Sequence, residues 1–124
     1  MFIDTIRLTE QAKNKLIKVK RKTKIENWNV LCRWALCLSL ADPNPVRFTD
    51  LKYNSSVEMT WKVFGGEYAE IYEALIRERC HMDGGNGTDE NLIQIFRLHL
   101  HRGISYLDSN GCCSVEFFSV GQYS

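Results

Sequence analysis

No stretch of this 124-residue chain approaches the roughly eighteen consecutive apolar residues that a membrane-spanning helix needs. Its start, MFIDTIRLTE, lacks the charged opening and apolar run of a secretory signal. Neither membrane insertion nor export is expected. Metal-ligand spacing is also missing: Cys80, His81, His99, His101, Cys112 and Cys113 are zinc-ligand residue types, but no C-x-x-C or helical H-x-x-x-H pattern joins them. His99 and His101 would lie about 200° apart on a helix and cannot grip one ion together. GGNG, Gly84 to Gly87, has no following Gly-Lys-Ser/Thr, so it reads as a helix C-cap and turn rather than a phosphate loop. A cysteine nucleophile needs a base and a group to orient that base, which the adjacency of Cys80 and His81 does not supply. No catalytic residue, metal or cofactor is expected, and no internal repeat is visible. The cysteine count is five, an odd number, and Cys32 and Cys37 sit in an apolar run where free thiols act as small hydrophobes. That usage suits a reduced, cytoplasmic protein.

What the chain does have is charge asymmetry. Its net charge is +1, but residues 1–40 balance at +6 and residues 41–124 at −5. The positive charge is concentrated in KNKLIKVKRKTK, where Lys13, Lys15, Lys18, Lys20, Arg21, Lys22 and Lys24 occur with no acidic residue between Glu10 and Glu26. Such a run is either a phosphate-binding surface, a contact for an acidic partner or second copy, or the wet face of a helix. Charge does not choose among them.

Hydropathy patterning predicts a mainly α, compact four-helix-type single domain over 1–124: an extended arm or strand over 1–8, a helical core over 9–107 and an irregular tail over 108–124. The first helix is expected from about Glu10 to Lys22, capped by Thr9, with Ala12, Leu16 and Val19 forming its apolar stripe. At about 100° per residue, Lys15, Lys18 and Lys22 make one basic edge and Lys13, Lys20 and Lys24 another, with Arg21 outermost between them. The second helix, WNVLCRWALCLSLA, follows Asn27, is apolar almost all round, and stops at DPNP. Few neighbours exist in so short a chain to cover every face of it, which favours an oligomer. Trp28 and Trp34 fall in this helix and read as core. VEMTWKVF alternates like a strand yet also suits a helix. EYAEIYEALIRERCHM carries a stripe of Tyr68, Ile71, Tyr72, Leu75 and Ile76, and a fourth helix opening at Thr88 and Asp89 places Leu92, Phe96, Leu100, Gly103 and Leu107 on one side.

If three or four lysines each neutralised a phosphate, one subunit would contribute roughly −3 to the slope of log affinity against log salt. Lysine contacts are point charges, so binding would follow backbone structure rather than base sequence. A strand, a basic helix and an apolar helix in succession also resemble ribbon-helix-helix transcriptional regulators, although Arg7 is the one strand residue suited to a base edge. His101 and Arg102 could face either a phosphate or an acidic neighbour.

Three strings, NWNVLCRWALCLSLADP, VEMTWKVFGGEY and FRLHLHRGISYL, together with the basic helix, resemble the DndE family of DNA sulfur-modification accessory proteins over about Phe2 to Leu107. The resemblance implies a small helical, non-catalytic subunit of the bacterial DNA phosphorothioation system, in which partner proteins carry out the sulfur chemistry. It further implies binding of double-stranded DNA, nicked in preference, by a homotetramer. The lysine helix would then be the phosphate-binding surface and the apolar helix the subunit contact. One departure stands out: the family pattern commonly has glycine where the first helix ends, and this chain has Lys24. A side chain in the left-handed cap conformation costs on the order of 1 kcal/mol.

Overall fold

The computed structural model describes residues 3–109. The order is β1 (Thr5–Arg7), α1 (Glu10–Thr23), α2 (Trp28–Ala41), β2 (Glu58–Thr60), α3 (Trp61–Gly65), a single 3-10 turn (Gly66–Tyr68), α4 (Ala69–Met82) and α5 (Asp89–Ser109). Four long helices and one short one dominate, so the mainly α expectation holds. Most of the tail lies outside the described residues, but Asp108 and Ser109 close α5 rather than opening the tail.

α1 begins where Thr9, extended at φ −73° and ψ 159°, lets its Oγ1 accept a hydrogen bond from the Ala12 N–H at 3.0 Å. Ala12, Leu16 and Val19 are its buried residues, as the i, i+4, i+7 spacing requires. The helix ends on Lys24, which is left-handed at φ 64° and donates its N–H to the Lys20 carbonyl at 2.9 Å.

α2 and α5 form the central pair. They cross so closely that a Cβ on Gly103 would lie 1.7 Å from the Ala35 carbonyl oxygen, which is why this position in α5 has no side chain. Around that crossing, Leu31, Cys32 and Leu36 of α2 pack with Leu92, Phe96, Leu100, Ile104 and Leu107 of α5. At one end Trp61, Phe64, Tyr72 and Phe96 meet with ring centroids 5.3–5.5 Å apart, mostly edge to face, an arrangement that adds to their burial.

The ambiguous VEMTWKVF string is both strand and helix. β2 pairs antiparallel with β1, Thr5 opposite Thr60 and Arg7 opposite Glu58, and Thr60 then caps α3 by accepting from the Val63 N–H at 3.1 Å. The backbone of the preceding irregular segment is anchored by two arginines at the C-terminus of α2. Arg79 donates to the carbonyls of Leu40, Asp42 and Asn44, and Arg102 to those of Ser39, Asn44 and Pro45. DPNP leaves those carbonyls without helical donors, and two guanidinium groups at the negative end of the helix dipole replace them.

Two apolar faces are left open in the single chain. On α2, Leu31, Ala35 and Leu36 are buried, whereas Trp34 and Leu38 are half-buried and Cys37 is exposed. Of the stripe read in and before α4, only Ile76 is buried; Tyr68, Ile71 and Leu75 are exposed and Tyr72 is half-buried. The reason is that α4 turns one edge to the core, burying Ile76, Arg79 and Cys80 and packing Ala69 and Tyr72 against it in part.

Candidate nucleic-acid interface

The buried stripe of α1 faces inward, so its cations occupy the outer surface and the two flanks. On the flank toward α5, the Lys15 ammonium donates to Ser105 Oγ at 2.9 Å and Lys18 lies 3.4 Å from the Asp108 carboxylate. On the other flank, Lys13 donates to Ser56 Oγ at 2.8 Å, and Lys20 Nζ sits 4.3 Å from the centroid of the Trp28 ring. Arg21, Lys22 and Lys24 are exposed. Among the described residues none of these three has a hydrogen bond or ion pair from its side chain. Lys24 belongs to the cap rather than the helix, so it leaves the edge that the helical wheel gave it beside Lys13 and Lys20.

Trp28 corrects the reading of it as core. It is half-buried, packed against the core on one side and covered by Lys20 on the other, which puts an aromatic ring inside the basic surface. Its indole lines a shallow cavity of about 500 Å³ with Lys13, Asn27, Asn29 and Ser56.

A larger cavity of about 760 Å³ opens on the α5 flank, between α1, α5 and the segment after α2, and Lys15, Arg47, His101, Arg102 and Asp42 lie in its wall. Composition gave no sign of Arg47, which stands in an irregular loop without periodicity. Arg102 is committed to Ser39 and the loop carbonyls, and faces Asp42 at 3.9 Å, so the acidic-neighbour alternative describes it. Asp42 also accepts from the Tyr106 hydroxyl at 2.6 Å; that bond, the Asn44 N–H and the Arg102 charge hold its carboxyl below the usual range.

The two histidines have separate structural duties. His101 Nε2 accepts from the Thr9 N–H at 3.2 Å and Nδ1 donates to the Arg97 carbonyl at 2.8 Å, which fixes a neutral ring, and burial lowers its pKa. His99 Nδ1 lies 2.7 Å from Ser39 Oγ, which itself accepts from Arg102 Nε. Burial and the charges of Arg102 and Arg79 push the His99 pKa down to about 4, so the ring is neutral near pH 7. Neither ring shares a partner with the other, and no group of three or more metal-ligand residues exists among the described residues. Cys80 is buried with its thiol against Asn91 Oδ1 at 3.0 Å, and burial pushes the Cys32 thiol up to about 12, far from a reactive thiolate. Cys112 and Cys113 lie outside the described residues.

The ribbon-helix-helix reading requires β1 to pair with the strand of a second copy. Here β1 pairs with β2 of its own chain, and the side chain of Arg7, its one candidate for a base edge, forms an ion pair with Glu58.

With fold and surface in view, comparison with known proteins is decisive. The family model for the DNA sulphur modification protein DndE matches residues 5–113. The chain belongs to the DndE family. Its fold is that of DndE from Escherichia coli, described as involved in DNA phosphorothioation modification: TM-score 0.73 at 20% identity, over 86% of this chain and 98% of that one. A glycine-to-lysine double mutant of DndE matches with TM-score 0.66 at 20% identity, over 86% and 97% of the two chains. No curated protein sequence matches significantly. Membership of the DndE family places the chain in DNA sulphur modification, and among the described residues no helix is long and apolar enough to cross a membrane.

Proposed function

We propose that the protein is a non-catalytic, cytoplasmic subunit of the DNA phosphorothioation system that binds double-stranded DNA through α1, prefers nicked duplex, and works as a homotetramer beside the enzymes that handle sulfur. The observation carrying this reading is the outer surface of α1. Seven cations, Lys13, Lys15, Lys18, Lys20, Arg21, Lys22 and Lys24, lie on or beside this one helix, and Arg21, Lys22 and Lys24 are exposed without a carboxylate partner among the described residues. A solvated helix face usually alternates its charges into i, i+4 pairs. This one does not, and a family devoted to DNA modification supplies the polyanion that such a surface would hold.

The tetramer accounts for the two open apolar faces. Trp34 and Leu38 of α2, with Ile71 and Leu75 of α4, form patches suited to burial against other copies. Assembly also multiplies the basic surface, and a nicked duplex, which bends at lower cost than an intact one, can reach several copies at once.

Light scattering gives the mass of the particle, and fluorescence anisotropy compares one duplex with and without a central nick at physiological salt. A tetramer with tighter binding to the nick is the expected result. Equal affinity for the two duplexes removes nick preference, and absence of binding to either removes the DNA-binding reading.

A further inference from the structure

We infer that the cavity between α1, α5 and residues 42–51 is a binding site for a terminal phosphate monoester, carried by a DNA strand end or by a free mononucleotide. The strand-end form rests on the proposed DNA binding; the monoester site itself does not.

Charge balance at the cavity points to the ligand. Three cations line it, Lys15, Arg47 and Arg102, against the single carboxylate of Asp42. Arg102 and Asp42 answer one another, and Tyr106 completes the carboxylate's coordination. His101 is neutral, with both ring nitrogens engaged. Lys15 and Arg47 therefore remain, and no carboxylate pairs with either among the described residues. Two uncompensated cations match a phosphate monoester, whose charge is about −1.5 to −2 at pH 7, better than the single charge of an internal diester. Lys15 spends one of its three N–H donors on Ser105, whose own hydroxyl proton is left to bind an anion.

Size and position agree with this chemistry. At about 760 Å³ the cavity falls in the range of small-ligand sites, and Val46, Leu51 and Leu98 give it an apolar wall against which a sugar or base can lie. Lys15 is also the first cation of the edge continued by Lys18 and Lys22, roughly 10 Å farther along the helix at 1.5 Å per residue. A strand tracking that edge by its phosphates would reach the cavity at its end. A continuous strand offers only diesters there, whereas a broken one offers a monoester. The cavity would thus distinguish a phosphorylated strand end from an unbroken backbone, by charge rather than by bending.

The test is anisotropy with two nicked duplexes that differ only in a 5′-phosphate or 5′-hydroxyl at the nick, using the full chain and its Arg47→Ala and Lys22→Ala variants. Arg47 is exposed in a loop, so its truncation leaves the fold intact. The wild type should favour the phosphorylated nick about tenfold, the scale of a charge-assisted hydrogen bond. Arg47→Ala should abolish that preference, and Lys22→Ala should weaken both duplexes alike. Tight binding of both duplexes without preference overturns the cavity site while leaving DNA binding in place, and a preference unchanged in Arg47→Ala also overturns it. If neither duplex binds, the proposed function fails, and calorimetry with thymidine 5′-monophosphate and inorganic phosphate decides the cavity separately. Heat of binding that disappears in Arg47→Ala supports a site for free monoesters, and no heat in the wild type overturns it.

Discussion

Lys24 allows the local backbone to be separated from the charge it carries. Among the described residues it is the one non-glycine with positive φ, at 64°. A left-handed L-residue costs about 1–2 kcal/mol in steric crowding, and glycine removes that cost while adding about 0.5–1 kcal/mol of chain entropy to the unfolded state. Lys24→Gly should therefore stabilise the protein by about 0.5–1 kcal/mol, raising Tm by roughly 2–4 °C for a chain of this size. Lys22 lies in the last turn of α1, inside the hydrogen-bonded helix. Lys22→Gly should destabilise by up to about 1 kcal/mol, since glycine is a poor helix residue. Both substitutions remove one exposed positive charge, so opposite signs isolate the conformational term. Urea unfolding at constant protein concentration measures both, with unchanged m-values required for the comparison. Destabilisation by both variants would refute the left-handed cap as the source of strain at Lys24.

Three further outcomes follow from the packing. Gly103→Ala should cost at least about 3 kcal/mol, because the new methyl would meet backbone rather than a movable side chain and α2 would have to withdraw from α5; loss of the cooperative thermal transition or a Tm drop of many degrees checks it. Arg79→Ala should destabilise by roughly 3 kcal/mol in urea, since the backbone carbonyls of Leu40, Asp42 and Asn44 and the Asp83 carboxylate lose their donor together. For His99, the folded pKa of about 4 is below the unfolded value, so the unfolded chain takes up the proton first on acidification. Stability from this group is fully present above about pH 6.5 and is lost as pH falls toward 4, and a Tm series over that range should flatten in His99→Gln.

The helices were largely legible because their periodicity and caps agree. Thr9, the Ala12–Leu16–Val19 stripe and Thr88 each mark an end or a buried face with a separate physical signal, and α1 differs from its expected span by a single residue. The stretch from Val46 to Phe64 was not legible, since its order comes from residues distant in sequence: Leu8 exchanges backbone hydrogen bonds with Ser55 and Val57, and β2 takes its register from β1. Trp28 misled for a related reason. Apolar composition marks a residue as suited to a core but does not show that a lysine from the neighbouring helix will cover the exposed side of its ring. The lysine run was visible at once as charge, whereas its division into two tethered flanks and a free outer group depends on Ser56, Ser105 and Asp108, all far along the chain. The cavity needed Arg47, which has no periodic context at all.

The most direct test of the central claim is the salt dependence of nicked-duplex binding in the wild type and in an Arg21→Ala, Lys22→Ala double variant. Removing a cation that neutralises one phosphate should reduce the magnitude of the slope of log affinity against log salt by about 0.9, from a starting value of roughly −3 per engaged subunit. A shallower slope together with weaker binding, in a variant whose Tm and mass match the wild type, is the predicted result. An unchanged slope and affinity would contradict it and return the outer face of α1 to the role of a solvated surface.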